Sequence, residues 1–337
     1  MKLFLYKKLR PLVRMVTVIL IVALIHLLLN NLEDTFFRNT VKPSDTFVRS
    51  CDFISEIRAT PVKYNSANTE SILLEGQSLG INTTRIAIGC AIKIRQEDLQ
   101  KDDISHLLLF VDLLPSFCST MSKGFIYEFY FAHDYNDTFF IRDAAYERFN
   151  EIFNGVLKNR SECHKFEDIE KAIKVHFVKC QYSGKPAWAQ NDAMMAAHAD
   201  NMTFFYRIND DTILQTSGWT EQFIATLSTY KPPLIGVVGP NHKGGKLSIL
   251  TYDFVHRHHI DIFGFYYPRE LSAWYADDWI TRVYEPSRSL KLRNIKLFHT
   301  KKLGIRYDRD KAHSKMLPKL LKRDRKVLQT YLKTHPP

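Results

Sequence analysis

The chain has 337 residues, of which 45% are hydrophobic and 25% charged, and a formal net charge of +11. This composition is typical of a globular protein with a sizeable core, and it excludes a chain that is disordered throughout. The length fits one α/β domain preceded by shorter segments.

The positive charge is concentrated at the two ends of the chain. Residues 1–14 carry five basic and no acidic groups, and residues 282–337 carry 17 basic against 4 acidic groups. Residues 15–281 then hold 25 basic and 32 acidic groups, so the body of the fold is mildly acidic. Nucleic-acid binding, which needs a basic patch on the folded domain, is therefore not expected.

An apolar run occupies residues 15–29 and is interrupted by His26. Because residues 12 and 13 extend this run, we predict a transmembrane signal-anchor at 12–29 and a cytosolic basic tail at 1–14. A cleaved signal peptide has a run of similar length, but no small-x-small cleavage site follows it. Since positive residues stay on the cytosolic side, the rest of the chain is expected in the lumen of the Golgi or ER, as a single-pass type II protein.

Sequons and cysteines agree with a lumenal body. Four Asn-x-Ser/Thr sequons are present, and they can be glycosylated only on the lumenal side. They begin at Asn82, Asn136, Asn159 and Asn201. Five cysteines lack the spacing of a metal site, and an oxidising lumen permits up to two disulfides among them. They are Cys51, Cys90, Cys118, Cys163 and Cys180, and their connectivity stays open.

The chain divides into a stem at residues 30–80, a main domain at 81–315 and a basic C-terminal helix or tail at 316–337. Strands alternate with helices in the main domain. Strands are predicted at 85–92, 125–133, 174–178 and 203–208, and helices at 104–114, 142–157 and 191–199. This alternation predicts an α/β fold with a mostly parallel sheet, helices on both faces and ligands at the carboxyl ends of the strands.

The strand at 203–208 runs directly into Asn209-Asp210-Asp211. Hard cations such as Mg²⁺ and Mn²⁺ prefer oxygen ligands, and in such a site they can bridge a diphosphate. Acidic turns are common after strands, so this cluster alone is weak support for a metal site.

A second acidic cluster lies among aromatic residues in Trp274-Tyr275-Ala276-Asp277-Asp278-Trp279-Ile280. Aromatic walls suit a sugar ring, and a carboxylate there can take the proton from an acceptor hydroxyl. The alternative interpretation is a helix N-terminus capped by Asp, with a tryptophan packed beneath it.

Five segments, taken in order, resemble GT-A-type glycosyltransferases. They are residues 206–212, Gly218-Trp219, residues 235–240, residues 254–264 and the Trp-x-x-Asp-Asp-Trp block. The resemblance covers roughly residues 85–310, and the ordered run is more specific than any single motif. It implies a Rossmann-type GT-A fold, a nucleoside-diphosphate sugar donor and an Mn²⁺ (or Mg²⁺) ion. It also implies transfer to a hydroxyl of a glycan, glycoprotein or glycolipid.

The resemblance also implies roles for individual residues. Asp211 matches the last acidic position of the family's DxD motif and is the expected metal ligand, while Asp210 assists through the metal, water or ribose. Asn209 stands where many relatives have a third Asp, and it suits a ribose hydrogen bond. Asp277 aligns with the catalytic base of inverting members, with Asp278 as the second candidate. His299 resembles the late histidine that completes the metal shell.

Two further residues are candidate donor contacts. Asp134 ends the second predicted strand, and Asn191 opens the helix before the metal strand. Either side chain can instead cap a turn or a helix. Residues 240–246 are Gly-rich but lack P-loop spacing, and we interpret them as a flexible lid or acceptor loop.

Two other functions remain open. A type II Golgi sulfotransferase shares the topology, but it needs a phosphate-binding loop after the first strand, which residues 89–93 do not supply. A non-catalytic glycan-binding protein with a GT-A-like fold would be favoured by loss of one acidic cluster, yet both are present. The expected enzyme is therefore a metal-dependent, inverting hexosyl- or N-acetylhexosaminyl-transferase, whose donor sugar and linkage stay open.

Overall fold

The computed structural model describes residues 48–50, 84–99, 103–166, 168–243, 248–300 and 311–336. The predicted anchor at 12–29 lies outside the described residues, as do Cys51 and the sequon at Asn82. Of the predicted stem, Val48–Ser50 is described and forms a strand. Within the described ranges, no helix has both the length and the apolar character needed to cross a bilayer.

The described residues form one mixed sheet of nine strands. They are β1 (Val48–Ser50), β2 (Arg85–Ile92), β3 (Ile126–His133), β4 (Ile173–Lys179), β5 (Phe204–Arg207), β6 (Thr212–Leu214), β7 (Val237–Lys243), β8 (Phe254–His256) and β9 (Ser289–His299). The order across the sheet is β1-β4-β3-β2-β5-β8-β7-β9-β6. Strands β1 to β5 pair in parallel, whereas β8 and β6 are antiparallel to their neighbours.

Helices lie between and after these strands. They are α1 (Leu114–Thr120), α2 (Ala145–Asn159), α3 (Ile169–Ala172), α4 (Pro186–Ala199), α5 (Trp219–Ser228), α6 (His258–Phe263), α7 (Ala276–Val283) and α8 (Lys311–Thr334). A π-helical turn at Leu109–Leu113 leads into α1. The fold of the described residues is therefore mixed α/β.

Strand β2 shows how the sheet separates two cores. Ile86 and Ile88 pack into a cluster that includes aromatic residues of α1, α2 and α5. Ala87 belongs to a second cluster, built with α4, α6, α7 and α8. Because both faces are covered, β2, β3 and β5 are nearly continuous apolar runs, which is typical of buried parallel strands, whereas β4 is only partly buried.

Helix α4 packs very closely on β2, and a glycine makes this possible. A Cβ atom on Gly89 would lie 2.4 Å from Cε of Met194 and 2.5 Å from Nε2 of Gln190. Contacts this short do not occur between packed atoms, so a larger side chain at this position would force the side chains of Met194 and Gln190 to shift. Gly89 therefore leaves room on β2 for these two side chains of α4.

The four predicted strands are confirmed as β2, β3, β4 and β5, and the predicted helix at 142–157 is confirmed as α2. The helix predicted at 104–114 is displaced, because the chain turns until Leu109 and α1 begins with Pro115 in its first turn, where proline is favoured. A proline also explains why the next helix begins earlier than predicted. Helix α4 begins at Pro186 and not at Asn191, which lies inside it.

One further prediction needs correction. The part of the predicted lid at 240–243 belongs to β7, where it pairs with β9, and residues 244–247 lie outside the described ranges. The sheet is mostly parallel, as predicted, because β7 and β9 also pair in parallel, and β8 runs antiparallel between β5 and β7. Helix α8 begins at Lys311, so it crosses the predicted boundary between the main domain and the C-terminal helix.

A disulfide joins Cys118 of α1 to Cys163, which ends a short 3₁₀ turn after α2. Cys90 and Cys180 are buried thiols. The bond therefore fastens α1 to the chain segment that follows α2, on the aromatic side of the sheet.

Replacing both bonded cysteines, in Cys118→Ala/Cys163→Ala, should lower the free energy of unfolding by up to about 4 kcal/mol, because a cross-link between residues 45 positions apart restricts the unfolded chain. Urea unfolding with and without reductant measures this. Reductant should destabilise the wild type and leave the double variant unchanged. Equal responses of both proteins would show that these cysteines are not bonded.

Candidate functional site

The site lies at the carboxyl ends of the parallel strands. Ile92 at the end of β2 is paired with His133 at the end of β3, and Gly89 of β2 with Arg207 at the end of β5. The residues that follow these strands are therefore brought to one edge of the sheet. These residues include Lys93, Asp134 and Asn209-Asp210-Asp211.

Asp211 and His299 are brought together by strand pairing. Thr212 of β6 lies opposite His299 of β9, and the amide of Thr300 donates to the carbonyl oxygen of Asp211 at 3.2 Å. Nε2 of His299 lies 3.0 Å from Oδ2 of Asp211. These two predicted metal ligands, 88 residues apart in sequence, are thus direct neighbours.

The second carboxylate oxygen of Asp211 shows that this pair suits a cation. Asp211 is only 3% exposed, and its buried Oδ1 accepts no hydrogen bond from any residue that the structure describes. A buried carboxylate oxygen without a donor is costly, and a bound cation is one way to compensate it. Carboxylate and imidazole are both ligands that Mn²⁺ accepts.

The other two residues of the first acidic cluster point elsewhere. The side-chain Nδ2 of Asn209 lies 3.5 Å from the hydroxyl of Tyr252. The backbone amide of Asn209 lies 3.3 Å from Oγ1 of Thr212. Asp210 lines a cavity of about 30 Å³ together with Lys93. Within the described part of the chain, no three His, Cys, Asp or Glu side chains gather as a complete metal shell. The pair Asp211–His299 would therefore need further ligands from substrate or water.

Asp134 fastens two loops at the same edge. Its Oδ2 accepts hydrogen bonds from Oγ of Ser183 at 3.1 Å and the amide of Gly184 at 3.0 Å, and Nζ of Lys93 lies 3.4 Å away. Asp134 is thus at the predicted strand end, and it ties the loop before α4 to the loop after β2.

Asn191 is not brought to this edge. It is buried within α4, and its Oδ1 accepts hydrogen bonds from the amides of Tyr266 at 2.8 Å and Tyr267 at 3.1 Å. Its side chain therefore holds the turn after α6, and the predicted donor contact has no support from this placement.

Asp277 lies in the first turn of α7 and is half-buried. Its Oδ1 accepts a hydrogen bond from the amide of Asp278 at 3.0 Å, and its Oδ2 one from Oγ1 of Thr251 at 3.3 Å. Tyr275, just before the helix, has φ of 75°, a left-handed conformation that is uncommon for a non-glycine residue and often marks functional sites. Trp274 is 42% exposed beside this turn.

Asp278 points in a different direction from Asp277. It is 5% exposed, and its Oδ1 lies 2.9 Å from NH2 of Arg282, one turn further along α7. Neighbouring residues of a helix are rotated by about 100°, so one helix cannot aim both carboxylates into the same cleft. Trp279 is fully buried and donates from Nε1 to Asp324 of α8 at 2.9 Å. The predicted packing of a tryptophan beneath this helix is therefore confirmed.

Arg207 connects the two acidic clusters, and the sequence analysis missed it. Its guanidinium donates to the carbonyl oxygen of Thr251, whose hydroxyl donates to Asp277. It also lies 5.9 Å from the ring centroid of Tyr252, and that ring is 6.3 Å from the ring of His299. A short chain of contacts thus runs from the Asp211–His299 pair to Asp277. The available signal was an arginine at the end of an otherwise apolar strand.

Asp253 completes the charged surroundings of Arg207. It is fully buried and accepts hydrogen bonds from the hydroxyls of Tyr266 and Tyr267, the latter at 2.6 Å. Burial raises the pKa of Asp253 to about 6, although both phenols and Arg207 act in the opposite direction. Burial likewise raises the pKa of Asp277, and Arg207 again opposes it. The two carboxylates therefore share one compensating cation.

No family model matches this sequence, and a search of curated proteins finds no match. Solved structures of S. aureus TarS are similar to the chain at a low level. The structure of TarS has 14% identity and a TM-score of 0.42 and covers 71% of this chain and 43% of that chain. The structure of TarS 1–349 has 13% identity and a TM-score of 0.42, and it covers 72% of this chain and 71% of that chain. The structure of TarS 1–349 in complex with UDP has 14% identity and a TM-score of 0.40, and it covers 71% of each chain. This chain thus spans less than half of the length of the first structure.

Asp253→Asn should flatten the pH dependence of stability between about pH 4 and pH 7. A carboxyl group whose pKa is higher in the folded than in the unfolded state stabilises the fold below the unfolded pKa, and this contribution is lost as pH rises through the folded pKa of about 6. The wild type should therefore lose about 3 kcal/mol over this window from Asp253.

Urea unfolding at several pH values would measure this slope. The exposed Asp143→Asn variant is the control and should keep the wild-type slope. A wild-type slope in Asp253→Asn as well would show that Asp253 titrates normally in the folded protein.

Proposed function

We propose that this chain is a metal-dependent glycosyltransferase, which moves a sugar from a nucleoside-diphosphate donor to an acceptor hydroxyl with inversion. The observation that carries the proposal is the contact chain through Arg207 from the Asp211–His299 pair to Asp277. Such a transfer needs positive charge at the leaving diphosphate and a base at the acceptor hydroxyl. The Asp211–His299 pair would hold the ion that supplies the charge, and Asp277 would be the base.

On the donor side, Asp211 and His299 are the residues that would hold Mn²⁺ or Mg²⁺. The burial of Asp211 supports this assignment, as does its Oδ1, which accepts no hydrogen bond from the described residues. Such ions commonly bind through one or two protein groups and complete their shell with substrate phosphates and water, so two ligands are enough. When bound, the ion supplies positive charge to the departing diphosphate. Lys93, Asp134 and Asp210 lie at the neighbouring strand ends and are the proposed contacts of the nucleotide.

On the acceptor side, Asp277 is better suited than Asp278 to accept a proton. Its raised pKa gives it more basic character than an ordinary aspartate, and hydrogen bonds from Thr251 and the Asp278 amide orient its two oxygens. Asp278, in contrast, is buried in an ion pair with Arg282. The exposed ring of Trp274 offers an apolar surface on which a sugar can stack.

Asp211→Asn should weaken metal-dependent nucleotide binding by at least about tenfold, because it removes a charged ligand of the ion. Calorimetry of the full-length protein in detergent, with UDP and with GDP, in the presence and absence of Mn²⁺, measures this. His299→Ala should act in the same direction.

Asp277→Asn is the matched control for charge and shape. It should bind nucleotide like the wild type and lower sugar transfer by about 10²–10⁴-fold, the usual contribution of a general base. Wild-type nucleotide affinity in Asp211→Asn would move the metal elsewhere. Nucleotide binding without any transfer from a panel of donors would instead favour a non-catalytic glycan-binding protein.

We also propose a type II Golgi or ER membrane protein whose catalytic domain is lumenal, anchored through residues 12–29. Three of the four sequon asparagines are described, and all three are exposed, so a glycosylating enzyme could reach them. They are Asn136, Asn159 and Asn201. The bond between Cys118 and Cys163 is also typical of an oxidising compartment.

This topology predicts that glycosidase treatment lowers the apparent mass of the full chain expressed in animal cells. The triple variant Asn136→Gln/Asn159→Gln/Asn201→Gln should lose most of that shift and retain only a contribution from Asn82. Protease treatment of intact microsomes is the second measurement, and the C-terminus should be protected. A protein without a glycosidase shift and with a digested C-terminus would have the opposite orientation.

A further inference from the structure

A groove of about 900 Å³ runs between α7 and α8, outside the cleft described above. Asp278 and Arg282 of α7 line it, with Tyr275 just before that helix, and Lys322, Arg325 and Lys326 line it from α8. Its size lies within the range of sites that bind small molecules or short oligomers.

The groove has a strong surplus of positive charge. Asp278 is the one acidic side chain among its described lining residues, and it is already paired with Arg282 at 2.9 Å. Arg325 donates from Nε and NH2 to the carbonyl oxygen of Arg282, at 3.1 and 2.6 Å, so it is held in place while keeping its charge. Lys322 and Lys326 are exposed. Four cations therefore face one carboxylate.

The rest of α8 strengthens this field. Between Lys311 and Thr334 the helix carries eight basic residues and a single acidic one, Asp324. Asp324 is 2% exposed and is paired with Trp279 and Arg323, so it offers no charge to a ligand. A concave surface lined by one sign of charge attracts ligands of the opposite sign.

The groove also adjoins the proposed base. Tyr275, just before α7, and Asp278 and Arg282 of α7 line the groove. Asp277 belongs to the same first turn, but it lies about 100° around the helix from Asp278 and contacts Thr251. An acceptor held in the groove therefore has to pass around the first turn of α7 to bring a hydroxyl to Asp277.

We propose that this groove binds the acceptor through carboxylate or sulfate groups, so that the enzyme acts on acidic glycans. This assignment of the acceptor class rests on the proposed transferase function. Arginine guanidinium groups pair with planar anions through two parallel hydrogen bonds, and the lysines add positive charge without a directional requirement. Tyr275, which also lines the groove, supplies an aromatic surface for a sugar ring.

Binding of labelled hexasaccharides to the full-length protein in detergent tests the proposal, at 0.15 M salt and without donor or metal. The probes are a uronate-containing hexasaccharide, its sulfated counterpart and a neutral N-acetylglucosamine hexasaccharide. Both acidic probes should bind and the neutral one should not. The variant Lys322→Gln/Lys326→Gln should weaken binding of the acidic probes about tenfold, through the loss of two ion pairs.

The matched control is Lys319→Gln/Lys333→Gln, which removes the same charge from exposed positions of α8 outside the groove. It should change affinity less than about twofold, because the salt screens charges beyond about 8 Å. Equal losses of affinity in both variants would mean that the hexasaccharides are attracted diffusely to the surface of α8. This result would overturn the proposal that they bind in the groove. Binding to bicelles that contain phosphatidylserine, with no binding to any hexasaccharide, would assign the surface to a membrane and overturn it as well.

These measurements separate the two proposals. Nucleotide binding that depends on Mn²⁺ and Asp211, together with no hexasaccharide binding, would sink only the acceptor assignment. Hexasaccharide binding that depends on the groove lysines, without transfer from any donor, would instead sink the transferase and leave an anionic-glycan-binding groove.

Discussion

A charged side chain at the end of a buried strand must be paired, and in this protein that side chain is Arg207. Its guanidinium donates to the carbonyl oxygen of Thr251, lies over the ring of Tyr252 and is attracted by the carboxylates of Asp253 and Asp277. The segment before β8 and the first turn of α7 are therefore held against the end of β5. Through this one cation, a series of contacts links the first acidic cluster to the carboxylate of α7, although long stretches of chain separate them.

Strand pairing provides the second constraint on the cleft. The short antiparallel contact between β6 and β9 sets Thr212 opposite His299. Asp211 then has one oxygen paired with His299 and one buried oxygen that no described residue donates to. A fold optimised only for stability would avoid such an oxygen, since a buried polar atom without a partner costs free energy. Local instability of this kind is typical of binding sites, where the missing partner belongs to the ligand.

Helical geometry points two adjacent carboxylates of α7 in different directions. Asp277 faces Thr251 and the cleft, whereas Asp278 faces Arg282 and the basic groove between α7 and α8. The same short helix thus borders both surfaces, and its left-handed entry at Tyr275 orients its first turn. A ligand lying across this turn would contact positive charge on one side and the proposed base on the other.

Local sequence patterns determined β2 to β5, the helix α2 and the position of both acidic clusters, because buried strands of a parallel sheet are continuous apolar runs that turn residues interrupt. They misplaced the starts of α1 and α4, where a proline opens the helix earlier or later than the apolar periodicity suggests. Only the tertiary structure decided which side chains meet, such as Asn191 with a turn 75 residues away and Asp211 with His299 across 88 residues. The physical reason is that these contacts depend on strand register and helix rotation, which are set by packing between distant segments and are not contained in any local pattern.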